Sequence, residues 1–204
     1  MDIIKEAEIV RKSKYNIHSL ILNRWSPRAL TPDLDKEELI PLFEAARWAP
    51  SSMNNQLWRF VYVKNKTNYW DDFFNLLTEG NKIWCKNAAY LVILISRKIN
   101  YFNNKEQRTH SLEAGMAFEN LALEGTHRNI VVHGMAGLNY DDAKNLLKLD
   151  DNWNVECMIA IGKPSDKSIL PKELQEREKP SDRLPLEKIA IEFKGKFVDV
   201  NPSE

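Results

Sequence analysis

Residues 50–60 constrain the fold of this chain more than any other stretch. A helix-like apolar run ends at Ala49, proline at position 50 cannot continue it, and a strand-like run begins at Leu57. Five of the six residues between Pro50 and Leu57 carry hydroxyl or amide side chains. Such groups can bind a flat polar ligand, although serine and asparagine also form ordinary turns. The stretch predicts a helix, a polar loop and a strand. The loop is interpreted either as a ligand site or as an ordinary turn.

The rest of the chain predicts helices and strands in alternation. Apolar spacing predicts one or two helices in residues 1–22, and Asp35 with Glu38 predicts a capping box for a helix that Pro41 should kink or delay. Strand patterns cover residues 57–64, 89–96, 130–133 and 155–161, and helical patterns cover residues 68–77, 110–125 and 141–149. We therefore expect the α+β class, as a single domain over residues 1–204 with a central mixed β-sheet flanked by helices.

Bulk properties exclude several classes of protein. Lysine plus arginine equals aspartate plus glutamate at 29 each, so no broad charge attracts nucleic acid or an anionic membrane. The longest apolar run, residues 88–95, is far shorter than the ~20 residues of a membrane span, and no signal peptide is visible. Cys85 and Cys157 lack metal-ligand spacing and predict two buried thiols, so we expect a cytoplasmic protein without a metal. A Rossmann site is not expected, because no G-x-G-x-x-G follows a strand.

Three polar segments are candidates for ligand binding. Arg24 and Arg28 flank Ser26, a pattern that suits a phosphate monoester, because each guanidinium can engage two phosphate oxygens. The alternative is a solvated helix end with cations near its C-terminus. Residues 133–137 follow a strand and contain two glycines, which let the backbone approach a planar ligand. Residues 80–81, Gly-Asn, are by themselves only a turn signal.

Together these segments resemble the nitroreductase family of FMN-dependent oxidoreductases. The family signature A-P-S-x-x-N-x-Q-P-W-x-F is present at residues 49–60, where Leu57 replaces the usual proline. The patterns R-x-S-x-[RK] and G-N-x-x-W correspond to residues 24–28 and 80–84, and a late basic segment corresponds to residues 181–186. The segments occur in the family order. The resemblance implies a fold of the nitroreductase type with FMN as the cofactor.

The resemblance also implies roles for individual residues. Arg24 and Ser26 would hold the FMN phosphate, Arg183 would close over it, and Arg28 would face the N1–C2=O edge of the flavin. A fixed cation at that edge stabilises the negative charge of the reduced ring. The implied cofactor-binding residues are Arg24, Trp25, Ser26, Arg28, Pro50, Ser51, Ser52, Asn54, Gln56, Asn81, Met135, Ala136, Gly137 and Arg183.

Within that set, Asn81 would bond the pyrimidine edge, and residues 135–137 would offer backbone N–H groups to flavin N5. No catalytic side chain is implied, since the chemistry takes place on N5. Tyr101 and Phe102 are candidates for a lid over the substrate, although two aromatic residues in a connection more often belong to the core edge. His133 is interpreted as a structural polar residue.

The function implied by the resemblance is hydride transfer from NADH or NADPH, through the flavin, to small planar acceptors such as nitroaromatics or quinones, with ping-pong kinetics. The resemblance also implies a homodimer with FMN at the subunit interface and an exchanged C-terminal tail, which residues 186–193 would form. An apolar helix at residues 110–125 agrees with a dimer, but a buried helix within one chain explains it equally well. Two alternatives stay open: another nitroreductase-like flavoenzyme (a dehydrogenase, dehalogenase or oxidase of a specific metabolite), and a non-catalytic FMN-binding protein.

Overall fold

Five strands form a single sheet around one long central strand. The computed structural model of the chain describes residues 2–193 and residue 195. The strands are β1 (Leu30–Thr31), β2 (Trp58–Lys64), β3 (Tyr90–Arg97), β4 (Val131–Met135) and β5 (Trp153–Pro164). Strand β5 pairs with β1, β3 and β4, and β2 pairs with the other edge of β3. The architecture is α+β, as the sequence predicted.

Each strand pair among the described residues is antiparallel, which corrects our expectation of a mixed sheet. The long helix α6 (His110–His127) connects β3 to β4 and gives these two strands the same direction. Strand β5 lies between them and pairs with both, as in Leu91↔Ala160 and His133↔Ala160. Strands β3 and β4 therefore run in the same direction but do not pair with each other, because each pairs antiparallel with β5.

Helices cover both faces of the sheet. They are α1 (Ile3–Val10), α2 (Ser19–Asn23), α3 (Lys36–Arg47), α4 (Trp70–Asn75), α5 (Glu79–Cys85), α6, α7 (Tyr140–Leu146) and α8 (Lys172–Gln175). The predicted capping box forms between Asp35 and Glu38, and α3 begins at Lys36, directly after Asp35, and continues through Pro41. The later start that we considered is wrong, because the box satisfies the first helical N–H groups and Pro41 removes only one interior hydrogen bond.

The core lies on both faces of β3. Alternate residues of this strand enter one apolar cluster with α4 and α5 or a second one with α3 and α6. Cys85 is buried, Cys157 is partly buried, and both are free thiols. Burial raises the pKa of both, that of Cys157 to about 12. In the described part of the chain, no helix has the length and apolar character needed to cross a membrane.

The end of the described chain exposes large apolar side chains. Ile189 and Phe193 are 61% and 73% exposed, and they follow Leu184 and Leu186, which are also exposed. This segment contains the residues that the resemblance assigns to an exchanged tail. The rest of the chain, residue 194 and residues 196–204, lies outside the described residues.

Candidate functional site

Three arginines from distant segments meet beside the N-terminal helices. Arg11, at the end of α1, is 6% exposed and donates hydrogen bonds to the carbonyls of Leu22 (3.1 Å), Arg24 (2.5 Å) and Ser181 (2.8 Å). Burial and the positive charges of Arg183 and Arg24 lower the pKa of Arg11. The structure thus brings Arg24 and Arg183 together around a buried third arginine, which the sequence patterns did not identify.

Arg24 faces Ser26 and an acidic residue of α6. Its Nη1 lies 3.3 Å from the Ser26 hydroxyl and its Nε lies 3.3 Å from Oε1 of Glu119. The charge of Asp182 also acts on Arg11. Three guanidinium groups therefore share two neighbouring carboxylates. The excess positive charge suits an anion. Buried Arg11, which forms no ion pair with another described residue, increases that preference.

His133 packs behind this group and serves a structural role. Its Nδ1 donates to the Pro27 carbonyl at 2.8 Å, and its ring centroid lies 4.6 Å from that of Trp84. Burial, aided by the charges of Arg28 and Arg24, lowers the pKa of His133 to about 4. The imidazole is neutral near pH 7 and positions the backbone that follows Ser26.

Glu178 holds the last residue of the predicted phosphate segment. Its carboxylate is 1% exposed, and Oε1 accepts the N–H groups of Arg28 (2.6 Å) and Ala29 (2.8 Å). Its Oε2 lies 3.7 Å from Nη1 of Arg28. Sequence reasoning missed this residue, because it lies in a segment rich in proline and charge where nothing distinguishes one acidic residue from its neighbours.

The turn after β4 is fitted closely against α5. The carbonyl of Gly137 accepts from the Asn81 amide (2.9 Å) and from the Thr78 backbone (3.1 Å) and hydroxyl (3.2 Å). A Cβ atom at position 137 would lie 2.6 Å from Nδ2 of Asn81, so a larger residue there would displace the Asn81 amide from the Gly137 carbonyl. The Met135 side chain points into the core, 3.3 Å from the Cys85 sulfur. One donor of Asn81 is thus used within the protein, and the contact of the backbone of residues 135–137 with a ligand stays a prediction.

The polar loop of residues 50–56 forms a short turn in an unusual conformation. Met53, Asn54 and Gln56 have φ values of 54°, 55° and 50°, a left-handed region that costs a non-glycine residue about 1–2 kcal/mol. Hydrogen bonds within the loop hold it: the Gln56 N–H donates to the Ser51 hydroxyl (3.1 Å) and its side chain to Asn54. The Ser52 N–H donates to Glu113 of α6.

The predicted site residues fall into two groups within one chain. Among the described residues, no hydrogen bond or ion pair joins the loop of residues 50–56 to the cluster of Arg11, Arg24 and Arg183. Helix α6 contacts both groups, through Glu113 at its start and Glu119 farther along. Trp25, also predicted to contact the cofactor, is a core residue whose indole N–H donates to the Ile3 carbonyl.

The two lid candidates lie beside the far end of the loop. Tyr101 and Phe102 are 47% and 69% exposed. The Arg97 guanidinium lies over the Tyr101 ring, 4.2 Å from its centroid. Arg59 donates one hydrogen bond to the Tyr101 hydroxyl (3.5 Å) and another to the Gln56 carbonyl (2.7 Å). Within residues 2–193 and residue 195, no group of three acidic, histidine or cysteine residues could hold a metal.

Comparison with known proteins identifies the fold and the family. The sequence profile of the nitroreductase family matches residues 21–163, more than half of the chain. A solved structure described as an oxidoreductase containing FMN is 43% identical, with a TM-score of 0.86 over 93% of this chain and 97% of that chain. Protein DrgA of Synechocystis sp. is 28% identical over 177 residues, 72% of this chain and 83% of DrgA. A candidate NAD(P)H nitroreductase of Streptococcus pyogenes serotype M6, Spy0809, is 25% identical over 76% of this chain and 88% of its own length. This chain belongs to the nitroreductase family.

Proposed function

We propose that this protein is an FMN-dependent oxidoreductase that takes hydride from NADH or NADPH and passes it to small planar acceptors such as nitroaromatics or quinones. The observation that carries the proposal is the cluster of Arg11, Arg24 and Arg183 beside Ser26. The relative that is 43% identical contains FMN, and the name of the Streptococcus pyogenes relative includes NAD(P)H as the donor. We also propose a cytoplasmic location, in keeping with two free thiols.

The arginine cluster fits the phosphate of FMN. A phosphate monoester carries close to two negative charges at neutral pH, and three guanidinium groups with two nearby carboxylates leave a positive charge to be balanced. Arg24 and Ser26 would bind the phosphate, and exposed Arg183 would cover it. Because Arg11 uses its N–H groups on three carbonyls, it would contribute charge and hold Arg24 in place.

The remaining residues would bind and orient the ring. FMN supplies the hydride chemistry when it is bound. Arg28, fixed by buried Glu178, would place a cation at the pyrimidine edge, and the backbone of residues 135–137 would face N5. The amides and hydroxyls of residues 51–56 would bind the ring and the ribityl chain. The side chains thus provide placement and charge, and none is required as a nucleophile.

A second copy of the chain would complete the site. Among the described residues, no hydrogen bond or ion pair joins the loop of residues 50–56 to the arginine cluster, and Trp48, Met53 and Leu112 near the loop are 72%, 67% and 64% exposed. We therefore propose a homodimer in which these surfaces and the exposed tail are covered. Light scattering at micromolar concentration should give twice the 23.8 kDa of one chain. A mass of one chain would contradict the shared site.

Anaerobic mixing with NADH or NADPH tests the function. The purified protein should be yellow, and the absorbance of its bound flavin should bleach rapidly on mixing and return when a quinone or nitroaromatic acceptor is added. A yellow protein that neither nicotinamide bleaches would favour a more specialised flavoenzyme or a non-catalytic FMN-binding protein. A colourless protein that ignores added FMN would contradict the proposal altogether.

A further inference from the structure

Glu113 is a buried carboxylate that takes part in no ion pair of the described residues. It lies in the first turn of α6 and is 2% exposed. Its Oε1 accepts the Ser52 N–H (3.1 Å) and the Thr109 hydroxyl (2.6 Å), whereas the buried Oε2 has no hydrogen-bond partner. Burying an ionised group costs several kcal/mol unless it is paired. A buried carboxylate that only filled space would destabilise the fold, so the contact of Glu113 with Ser52 requires an explanation.

The contact lies where the polar loop enters its strained turn. Ser52 begins the short turn, and Met53 and Asn54, which follow it, are both left-handed. Glu113 and Ser52 also line a cleft of about 250 Å³ together with Pro50, Ser51, Thr109, Leu112 and Met116. A hydrogen bond to a charged acceptor contributes about 1.5–3 kcal/mol, which is enough to offset the strain of one left-handed residue.

We infer that Glu113 is the positioning residue of the flavin-binding loop. Its Oε1 fixes the Ser52 N–H and thereby the left-handed turn that presents Ser51, Asn54 and Gln56 to the ring and ribityl chain. This inference rests on the proposed function of the site. Only Oε1 positions the loop, because Oε2 accepts no hydrogen bond. A glutamine at position 113 keeps that acceptor and is therefore a conservative replacement.

Flavin titrations of the flavin-free protein test the inference. Since the loop would contact the ring and not the phosphate, Glu113→Ala should raise the Kd for FMN and for riboflavin equally, by about tenfold, the equivalent of one hydrogen bond to a charged group. Glu113→Gln should stay within about threefold of the wild type. Glu124→Ala is the matched control on the same helix, because Glu124 pairs only with Arg128 among the described contacts and should not change either Kd.

Amide hydrogen exchange gives a second readout that needs no flavin. The Ser52 amide should exchange about tenfold faster in Glu113→Ala and near the wild-type rate in Glu113→Gln. If Glu113→Ala does not fold, Thr109→Val takes its place and should raise both Kd values about threefold, since it removes one donor to Oε1.

The inference would be overturned if the Ser52 amide exchanged at the wild-type rate in Glu113→Ala, or if Thr109→Val, used in its place, bound both flavins with unchanged Kd. It would also be overturned if the loss of affinity were confined to FMN. A third contrary result is a Glu113→Gln variant that binds the flavins as weakly as Glu113→Ala. A wild-type protein that binds neither flavin would instead refute the proposed function, while the Ser52 exchange rate would still decide whether Glu113 holds the loop.

Discussion

Replacing Glu178 by alanine is expected to destabilise the protein by about 3–4 kcal/mol, which for a chain of this size lowers the melting temperature by about 10 °C. The Glu178 carboxylate is almost completely buried and accepts the N–H groups of Arg28 and Ala29. Alanine would leave two backbone donors without an acceptor and Arg28 without its counter-charge. Each unsatisfied buried donor costs about 1–3 kcal/mol. Thermal or urea unfolding of the purified variant measures the loss.

Two further variants separate the hydrogen bonds of Glu178 from general effects on the segment. Glu178→Gln keeps an acceptor for the two N–H groups and loses only the charge opposite Arg28, so it should cost about 1 kcal/mol. Glu176→Ala removes an exposed carboxylate two residues away and should change stability by less than about 0.5 kcal/mol. An alanine variant at position 178 that unfolds at the wild-type temperature would show that water or another group replaces the carboxylate.

The elements of the fold could be predicted because they depend on local patterns. The continuous apolar run of β3 predicts a strand with both faces buried, and each of its residues from Tyr90 to Ile95 is at most 4% exposed. The Asp35–Glu38 capping box marks the observed start of α3, whereas the later start expected from Pro41 was wrong. Strand β5 extends beyond the predicted residues 155–161 because pairing with β1 and β3 orders polar residues at both ends.

The partners that hold the site could not be predicted, because they are distant in sequence. Arg11 and Ser181 are separated by 170 positions, Glu178 and Arg28 by 150, and Glu113 and Ser52 by 61. Arg11, Glu178 and Glu113 are ordinary charged residues whose neighbours in the sequence do not distinguish them, and only folding places each against an N–H group or carbonyl. The mixed sheet was predicted wrongly for the same reason, since chain order does not show that β5 inserts between β3 and β4.

The proposed phosphate site leads to the largest expected effect on binding. Arg24→Ala should raise the Kd for FMN about 100-fold, the equivalent of about 2.7 kcal/mol for a charge-assisted contact with phosphate. Riboflavin has no phosphate, so its Kd should stay within about threefold of the wild-type value. The Arg24 carbonyl, which accepts from Arg11, remains in the variant, so the backbone of the site should keep its position. Fluorescence titration of the flavin-free protein with each flavin gives both values.

The comparison of the two flavins distinguishes phosphate binding from a structural role of Arg24. Arg24→Lys keeps the charge but loses the planar fork, so it should lie between the wild type and alanine, at about tenfold weaker FMN binding. Arg128→Ala is the matched control: this arginine is the C-cap of α6, pairs with Glu124 and should leave both affinities unchanged. Equal losses for FMN and riboflavin in Arg24→Ala would assign Arg24 to the packing of the site, through Ser26 and Glu119, and would move the phosphate elsewhere. A loss confined to FMN would require the phosphate to lie against Arg24, because no other part of the two ligands differs.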